Sequence, residues 1–200
     1  MYMSGQLEIL EQIPTFNGDI ATDEAARRRV SRDASIFEVM PAGVISPRDT
    51  DDIKSVVGWA VRMHEAGTPV HFAPRVGGTC MSGGSLTPHY ILNLKSHYNY
   101  IGAVDTTART IRVQTGAMHI DVETKVSEAG LLFAPYTASR EICGIGGMIG
   151  NNASGEKSIK YGATSENVKS LKVVVGDGNE YEFGQLTRTE LMAKKALPTF

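Results

Sequence analysis

Ten of the chain's 21 glycines fall into two short windows, four between residues 75 and 84 and six between residues 143 and 162. Glycine reaches positive φ without a Cβ penalty and lets the backbone approach another group closely. Two such windows beside apolar runs predict a chain organised around two glycine-rich loops, with no internal repeat and no low-complexity linker. The overall content, 21 glycines in 200 residues, exceeds the ~7% usual in globular proteins.

Periodicity predicts what the loops hang from. Ile53, Val56, Val57, Ala60 and Val61 recur at helical spacing, with Thr50 or Asp49 as the cap and Gly67 past the end. Residues 69–73 read as a short buried strand that feeds the glycine-rich stretch 74–85 directly. Residues 90–94 read as a strand, and 99–105 with 109–115 as a hairpin about Thr106, Thr107 and Ala108. A helix over 118–129 ends at Gly130 and leads into a strand at 131–133, after which the second loop starts beyond Pro135. Residues 170–175 and 180–183 flank Gly176-Asp177-Gly178-Asn179, a strong hairpin signal. A short helix near 23–33 is expected in an otherwise polar entry segment. The mixture predicts an α/β or α+β chain, with residues 1–34 as an N-terminal segment, 35–98 as a first lobe and 99–200 as a second.

Charge narrows the partners. Lys and Arg number 20 against 22 Asp and Glu, a formal net charge of −2 without a basic tract. That excludes nucleic acid, whose phosphates need clustered cations. The first fourteen residues lack a basic region followed by an apolar run, and no apolar stretch approaches the ~20 residues that span a bilayer. A cytoplasmic location is expected. The two cysteines, Cys80 and Cys143, form no CxxC pattern, and the histidines at 64, 71, 89, 97 and 119 form no HExxH, so no metal site is expected.

In the first loop, Arg75-Val76-Gly77-Gly78-Thr79-Cys80-Met81-Ser82-Gly83-Gly84, side-chain-free residues let successive N–H groups converge on a phosphate while hydroxyls add donors. The alternative is a surface turn in which glycine only supplies positive φ. The second loop, from Cys143 to Gly155, fails the dinucleotide pattern G-x-G-x-x-G because Ile149 stands where the third glycine belongs. Gly155-Glu156-Lys157-Ser158 is no Walker motif, since glycine must directly precede the lysine. Two glycine loops and two lobes suit a long ligand whose diphosphate lies against backbone amides.

Taken together, these segments resemble the FAD-binding domain of the vanillyl-alcohol oxidase and p-cresol methylhydroxylase type. Pro41, Val44, Pro47, Asp52 and Ile53 stand in the register of its P-x-x-V-x-x-P-x-[ST]-x-x-[DE]-[VI] segment. Residues 75–83 answer R-G-[GA]-G-T-x-x-[SA]-G. Pro135, Ser139 less closely, Ile145-Gly146-Gly147, Ile149, Asn152 and Gly155 answer the later P…S…I-G-G-x-[IV]-x-x-N-x-x-G stretch. Residues 161–168 and 171–178 answer Y-G-x-T-x-[DE]-N-V-x-x-L-x-V-V-x-x-D-G. The wording is most similar to FAD-linked D-2-hydroxyacid dehydrogenases acting on D-lactate or D-2-hydroxyglutarate, including those fused to iron–sulfur domains.

The resemblance implies an α+β, two-lobed FAD-binding domain of the p-cresol methylhydroxylase type, a small parallel-sheet lobe beside a mixed or antiparallel one. It implies FAD as cofactor, with Gly77, Gly78, Thr79, Ser82 and Gly83 on the diphosphate. Ser139, Gly146, Gly147, Asn152 and Gly155 would line the isoalloxazine and ribityl side, and Val168 would offer backbone to the adenosine end. Arg75, Cys80, Gly84, Pro135, Gly144, Asn151 and Ser154 complete the expected cofactor-binding set. Arg75 either neutralises phosphate or sits in an ion pair. Thr79 stands where covalently flavinylated relatives carry histidine, so non-covalent FAD is expected, and Val76 departs from the small residue usual after the arginine. The implied partners are a 2-hydroxy acid of the D-lactate, D-2-hydroxyglutarate or glycolate class and an electron acceptor such as a quinone, a cytochrome or an electron-transfer flavoprotein. The full-length protein would be longer than this chain, with its catalytic base beyond Phe200, iron–sulfur clusters in its further domains and peripheral association with the inner membrane. No catalytic residue is assigned within the chain. Two other classes stay open: a stand-alone FAD- or nucleotide-binding module without activity, and an α/β domain whose glycine loops are structural.

Overall fold

Strands β1 (Asp19–Ala21), β2 (Gly43–Ser46), β3 (Phe72–Arg75) and β4 (Tyr90–Asn93) form one sheet in the order β1-β2-β4-β3. The computed structural model describes Ile13 and residues 15–196, and it is an α+β structure. β1 is antiparallel to β2, whereas β2, β4 and β3 are mutually parallel. Parallel neighbours need crossovers, and helix α2 (Thr50–Glu65) supplies the one between β2 and β3. Helix α1 (Glu24–Arg29) precedes β2 and starts where the Asp23 carboxylate accepts the Ala26 N–H at 3.0 Å.

Helix α2 forms where its spacing predicts. Asp49 caps it by accepting the Asp52 N–H at 2.9 Å, and Gly67 follows its end at φ +78°. Val56 and Trp59 face inward to join Ile45 and Tyr90 in a first core, with the Trp59 ring 6.0 Å from Phe72 and 5.8 Å from Tyr90. Burial of each such side chain contributes about 1.5–3 kcal/mol. Asp52 is fully buried on the same helix, and its two oxygens accept the N–H groups of Asn17 at 2.7 Å and Arg48 at 2.8 Å. This one carboxylate ties the segment that enters β1 to the segment that leaves β2.

The second half carries β5 (Ile101–Asp105) against β6 (Thr110–Val113), then α3 (His119–Glu128), α4 (Ile145–Gly150) and α5 (Ser158–Tyr161). A 3-10 turn at Thr164–Asn167 leads to the hairpin of β7 (Ser170–Val174) and β8 (Glu180–Gly184), followed by α6 (Arg188–Lys195). Val122, Val126, Cys143, Ile145 and Met148 are buried in a second core. The β7–β8 turn reaches back over α2, where an ideal Cβ on Gly178 would stand 3.9 Å from Gly58 Cα.

Three expectations need correction. The strand expected at 69–73 is β3, beginning at Phe72, because its ladder pairs Phe72 with Tyr90 and Arg75 with Asn93. Pro74 is tolerated there because β3 lies at the sheet edge. Residues 131–133 form no strand: Leu131 and Phe133 pack on the second core, but no neighbouring backbone pairs with them. The second glycine stretch is a helix over Ile145–Gly150 rather than an open loop throughout. Among the described residues no helix is long and apolar enough to cross a membrane.

Candidate functional site

The first glycine loop leaves the C-terminal end of β3, the end of a parallel strand where ligands of such sheets collect. From Val76 to Met81 no backbone N–H donates to a protein acceptor among the described residues, although residues 75–80 are half-buried. Six successive donors are thereby left for another acceptor. Gly78 sits at φ +66° with the Arg75 guanidinium folded against it, and an ideal Cβ there would lie 2.2 Å from Arg75 Nη2. The loop therefore needs glycine at this point.

Arg75 points into protein. Its Nη1 donates to Ser85 Oγ at 3.2 Å and its Nη2 to the Arg32 carbonyl at 2.7 Å. Burial pushes its pKa down, and the charge of Asp33 opposes that. Cys80 closes the far end of the loop, its Sγ accepting the Gly84 N–H at 3.3 Å and lying 3.3 Å from Ser82 Oγ. Hydrogen bonding by the Ser82 side chain, then by its backbone, draws the Cys80 thiol below its ordinary value. Gly83, at φ +78°, rests on the Phe37 ring.

The second loop is laid down against the strand-to-helix turn before α3. His119 N–H donates to the Cys143 carbonyl at 3.0 Å, Ile145 N–H to Ala117 O at 2.9 Å and Gly146 N–H to Thr115 O at 2.8 Å. Gly146 must be small, since a Cβ would stand 2.9 Å from both Thr115 Cβ and its carbonyl oxygen. Ile145 and Met148 turn into the core, which leaves Gly147 and Gly150 exposed with nothing within 4 Å of an ideal Cβ. These two form a bare backbone face one turn apart. Gly150 is the residue that motif reading omitted; its i, i+3 spacing from Gly147 was the available signal.

The remaining expected residues surround that face. Asn152, at φ +44°, accepts the Ser165 N–H at 2.9 Å through Oδ1, and Ala153 O accepts the Thr164 hydroxyl at 2.6 Å, which ties the 3-10 turn to α4. Asn151 caps α4 and donates its N–H to Gly147 O at 3.1 Å, while Ser154 is exposed. Gly155 lies on Tyr136, where a Cβ would be 2.9 Å from Cδ1, and Lys157 Nζ stands 4.4 Å from the same ring centre. The Pro135 carbonyl faces His119 Nε2 at 3.2 Å. Ser139 turns the chain, its carbonyl accepting the N–H groups of Ile142 and Cys143, both at 2.9 Å. Val168 lines a shallow cavity of about 380 Å³ with Ile149, Ser165, Leu171 and Phe183.

The two loops meet. An ideal Cβ on Gly77 would stand 2.1 Å from Ile142 O, and one on Gly144 would stand 2.1 Å from Val76 Cγ1. Val76, the departure from the usual small residue, fills the space above Gly144. The structure thus joins the two loops where residues 76–77 meet residues 142–144, while Val168 lies in the cavity beside Ile149.

Residues 41–184 match the FAD binding domain family. The chain belongs to that family, and FAD is its cofactor. It is 34% identical to a D-2-hydroxyglutarate dehydrogenase of Pantoea ananatis over 82% of the chain and 16% of that protein. It is 33% identical to the glycolate oxidase subunit GlcD of Bacillus subtilis over 86% of the chain and 36% of that protein. The chain thus spans about a sixth of the first relative's length and about a third of the second's. Among solved structures it resembles an alkyldihydroxyacetonephosphate synthase, with a TM-score of 0.76, 20% identity and coverage of 93% of this chain and 37% of that one. A Physcomitrella patens BBE-like 1 variant gives a TM-score of 0.75 at 16% identity over 92% of this chain and 39% of that one. These two likenesses concern the fold.

The residues present fit FAD. Unpartnered N–H groups in a half-buried loop suit diphosphate oxygens, and a helix face without side chains admits a flat ring or an extended ribityl chain against backbone.

Proposed function

We propose that the chain is the FAD-holding portion of a flavin-dependent oxidoreductase that oxidises a D-2-hydroxy acid to the 2-oxo acid. The observation that carries this reading is the joined pair of glycine loops, with six amides on one that bond to no acceptor among the described residues and the bare Gly147–Gly150 face on the other. Relatives named for D-2-hydroxyglutarate and glycolate supply the substrate class. When bound, FAD accepts the equivalent of a hydride from the hydroxy acid.

The amides of residues 76–81 and the hydroxyls of Thr79 and Ser82 hold the diphosphate with neutral donors, while Arg75 keeps the loop in shape from behind. Gly147 and Gly150 let the cofactor lie on α4, and Asn152 holds the turn that closes that surface. Attachment is non-covalent because Thr79 offers no imidazole to the flavin. The electrons pass onward from the whole protein to an acceptor of the quinone, cytochrome or electron-transfer-flavoprotein kind.

The test is an absorption spectrum of the purified chain after incubation with excess FAD and desalting, followed by acid precipitation. Flavin that is retained and then released intact by acid supports the reading. Flavin that stays with the precipitate overturns the non-covalent part; a colourless chain moves the same test to the longer protein, and absence of flavin there too overturns the assignment of the loops. Dye reduction by D-lactate, D-2-hydroxyglutarate and glycolate in the whole protein then separates the substrates.

A further inference from the structure

The segment from Ser31 to Val39 precedes the family-matched residues 41–184, yet it closes into a loop that touches the first glycine loop at three points. Its own closure is well defined. Val39 N–H donates to the carbonyl of buried Ser31 at 2.8 Å, Arg32 and Glu38 pair both as a backbone bridge and as side-chain ions, and the Asp33 carboxylate accepts the Ser35 N–H at 2.9 Å. On the glycine loop, the Arg32 carbonyl accepts Arg75 Nη2–H at 2.7 Å. Asp33 Oδ2 accepts the Ser85 hydroxyl at 3.2 Å, and that hydroxyl in turn accepts Arg75 Nη1–H at 3.2 Å. The Phe37 ring lies beneath Gly83, 3.2 Å from where a Cβ would stand.

These contacts grip the loop at Arg75, Gly83 and Ser85 and leave residues 76–82 between them. The amides of residues 76–81 bond to nothing among the described residues, so the loop's shape rests on its packing against residues 142–144 and on its held ends; fixing those ends in advance lowers the ordering cost of binding. We infer that residues 31–38 are a brace for the diphosphate loop, and that Asp33, acting through Ser85 and Arg75, is a positioning residue for FAD. The inference rests on the reading of that loop as the diphosphate site.

The test measures two quantities in the full chain and in Asp33→Ala, Ser85→Ala, the double variant and Ser85→Thr, each first shown by its melting curve to be folded. One is the FAD dissociation constant, read from flavin fluorescence. The other is the rate at which Cys80 is alkylated without FAD, Cys143 being buried. Each alanine variant raises Kd about tenfold, as expected when a charge-assisted hydrogen bond is lost. The double variant is no worse than the poorer single one, because both remove the same relay. Ser85→Thr keeps the hydroxyl and returns Kd to near the native value. Cys80 alkylation speeds up several-fold in the alanine variants, reporting a loosened loop. Native Kd in both single variants overturns the brace. Failure to hold FAD by the native chain, and by the longer protein as well, overturns the diphosphate reading instead; Cys80 alkylation then decides the brace alone, and unchanged rates overturn it.

Discussion

Val76 and Gly144 occupy one shared volume: a Cβ on Gly144 would stand 2.1 Å from Val76 Cγ1 and 2.5 Å from Val76 Cβ. The valine on the first loop and the missing side chain on the second are therefore one packing solution. Gly144→Ala overpacks this point and lowers unfolding stability by about 1–3 kcal/mol. In urea titrations, Val76→Gly combined with Gly144→Ala costs less than the sum of the two single changes, whereas strict additivity would show that the loops do not touch. Gly77→Ala has no such remedy, because its obstacle is the Ile142 carbonyl at 2.1 Å.

Gly147 gives a prediction of opposite sign for stability and binding. With nothing within 4 Å, an added methyl meets no clash, and replacing an interior helix glycine by alanine stabilises the chain by about 0.5–1 kcal/mol. The same methyl stands on the face proposed for FAD. Gly147→Ala therefore melts higher without cofactor and binds FAD more weakly; unchanged affinity would move the cofactor off this face.

His119 is fully buried, with Nε2 placed to donate to the Pro135 carbonyl at 3.2 Å and Nδ1, 3.8 Å from Glu123, without a hydrogen-bond partner among the described residues. Its ring packs edge-on against Phe133 at 5.2 Å. His119→Phe keeps the bulk but strands the Pro135 carbonyl, at a cost of about 1–3 kcal/mol. His119→Gln, which retains a donor, loses less. Equal losses by chemical denaturation would assign the residue to packing alone.

Much of this was legible because local signals and tertiary demands agree. Asp49, the apolar spacing through Ala60 and Gly67 mark α2 without help from the rest of the fold. The turn Gly176-Asp177-Gly178-Asn179 likewise marks the β7–β8 hairpin. Helix α4 was hidden because its glycines carry poor helix propensity. It forms because Ile145 and Met148 bury on one side while Gly146 must clear Thr115, and that demand lies thirty residues away in the chain. Residues 131–133 failed as a strand for the converse reason, since a short apolar run does not by itself supply a pairing partner. At the site, motif spacing picked out residues 75–84 and 143–155 but could not show that Arg75 turns inward or that Val76 crosses to Gly144. Both facts depend on what residues 32–37 and 142–144 bring from elsewhere.

The acid limb of stability gives the last prediction. At Asp33, burial acts to raise the pKa, but the Ser35 side chain and N–H, the Ser85 hydroxyl and the Arg75 charge outweigh it, so the folded value lies below the ordinary one. As pH falls, the unfolded chain's Asp33 takes up its proton first, which favours unfolding. Its contribution is therefore complete above the ordinary carboxylate range, near pH 4, and drains away as pH falls through the lower folded value. Asp33→Asn removes the titration while keeping the shape. The stability difference between the native chain and Asp33→Asn, measured by urea unfolding at a series of pH values, is flat from pH 7 to about 5 and closes below about 4. A difference that widens toward acid would mean that the carboxyl is held protonated in the fold, where it could no longer serve as the anionic acceptor at the end of the chain of donors from Arg75 through Ser85.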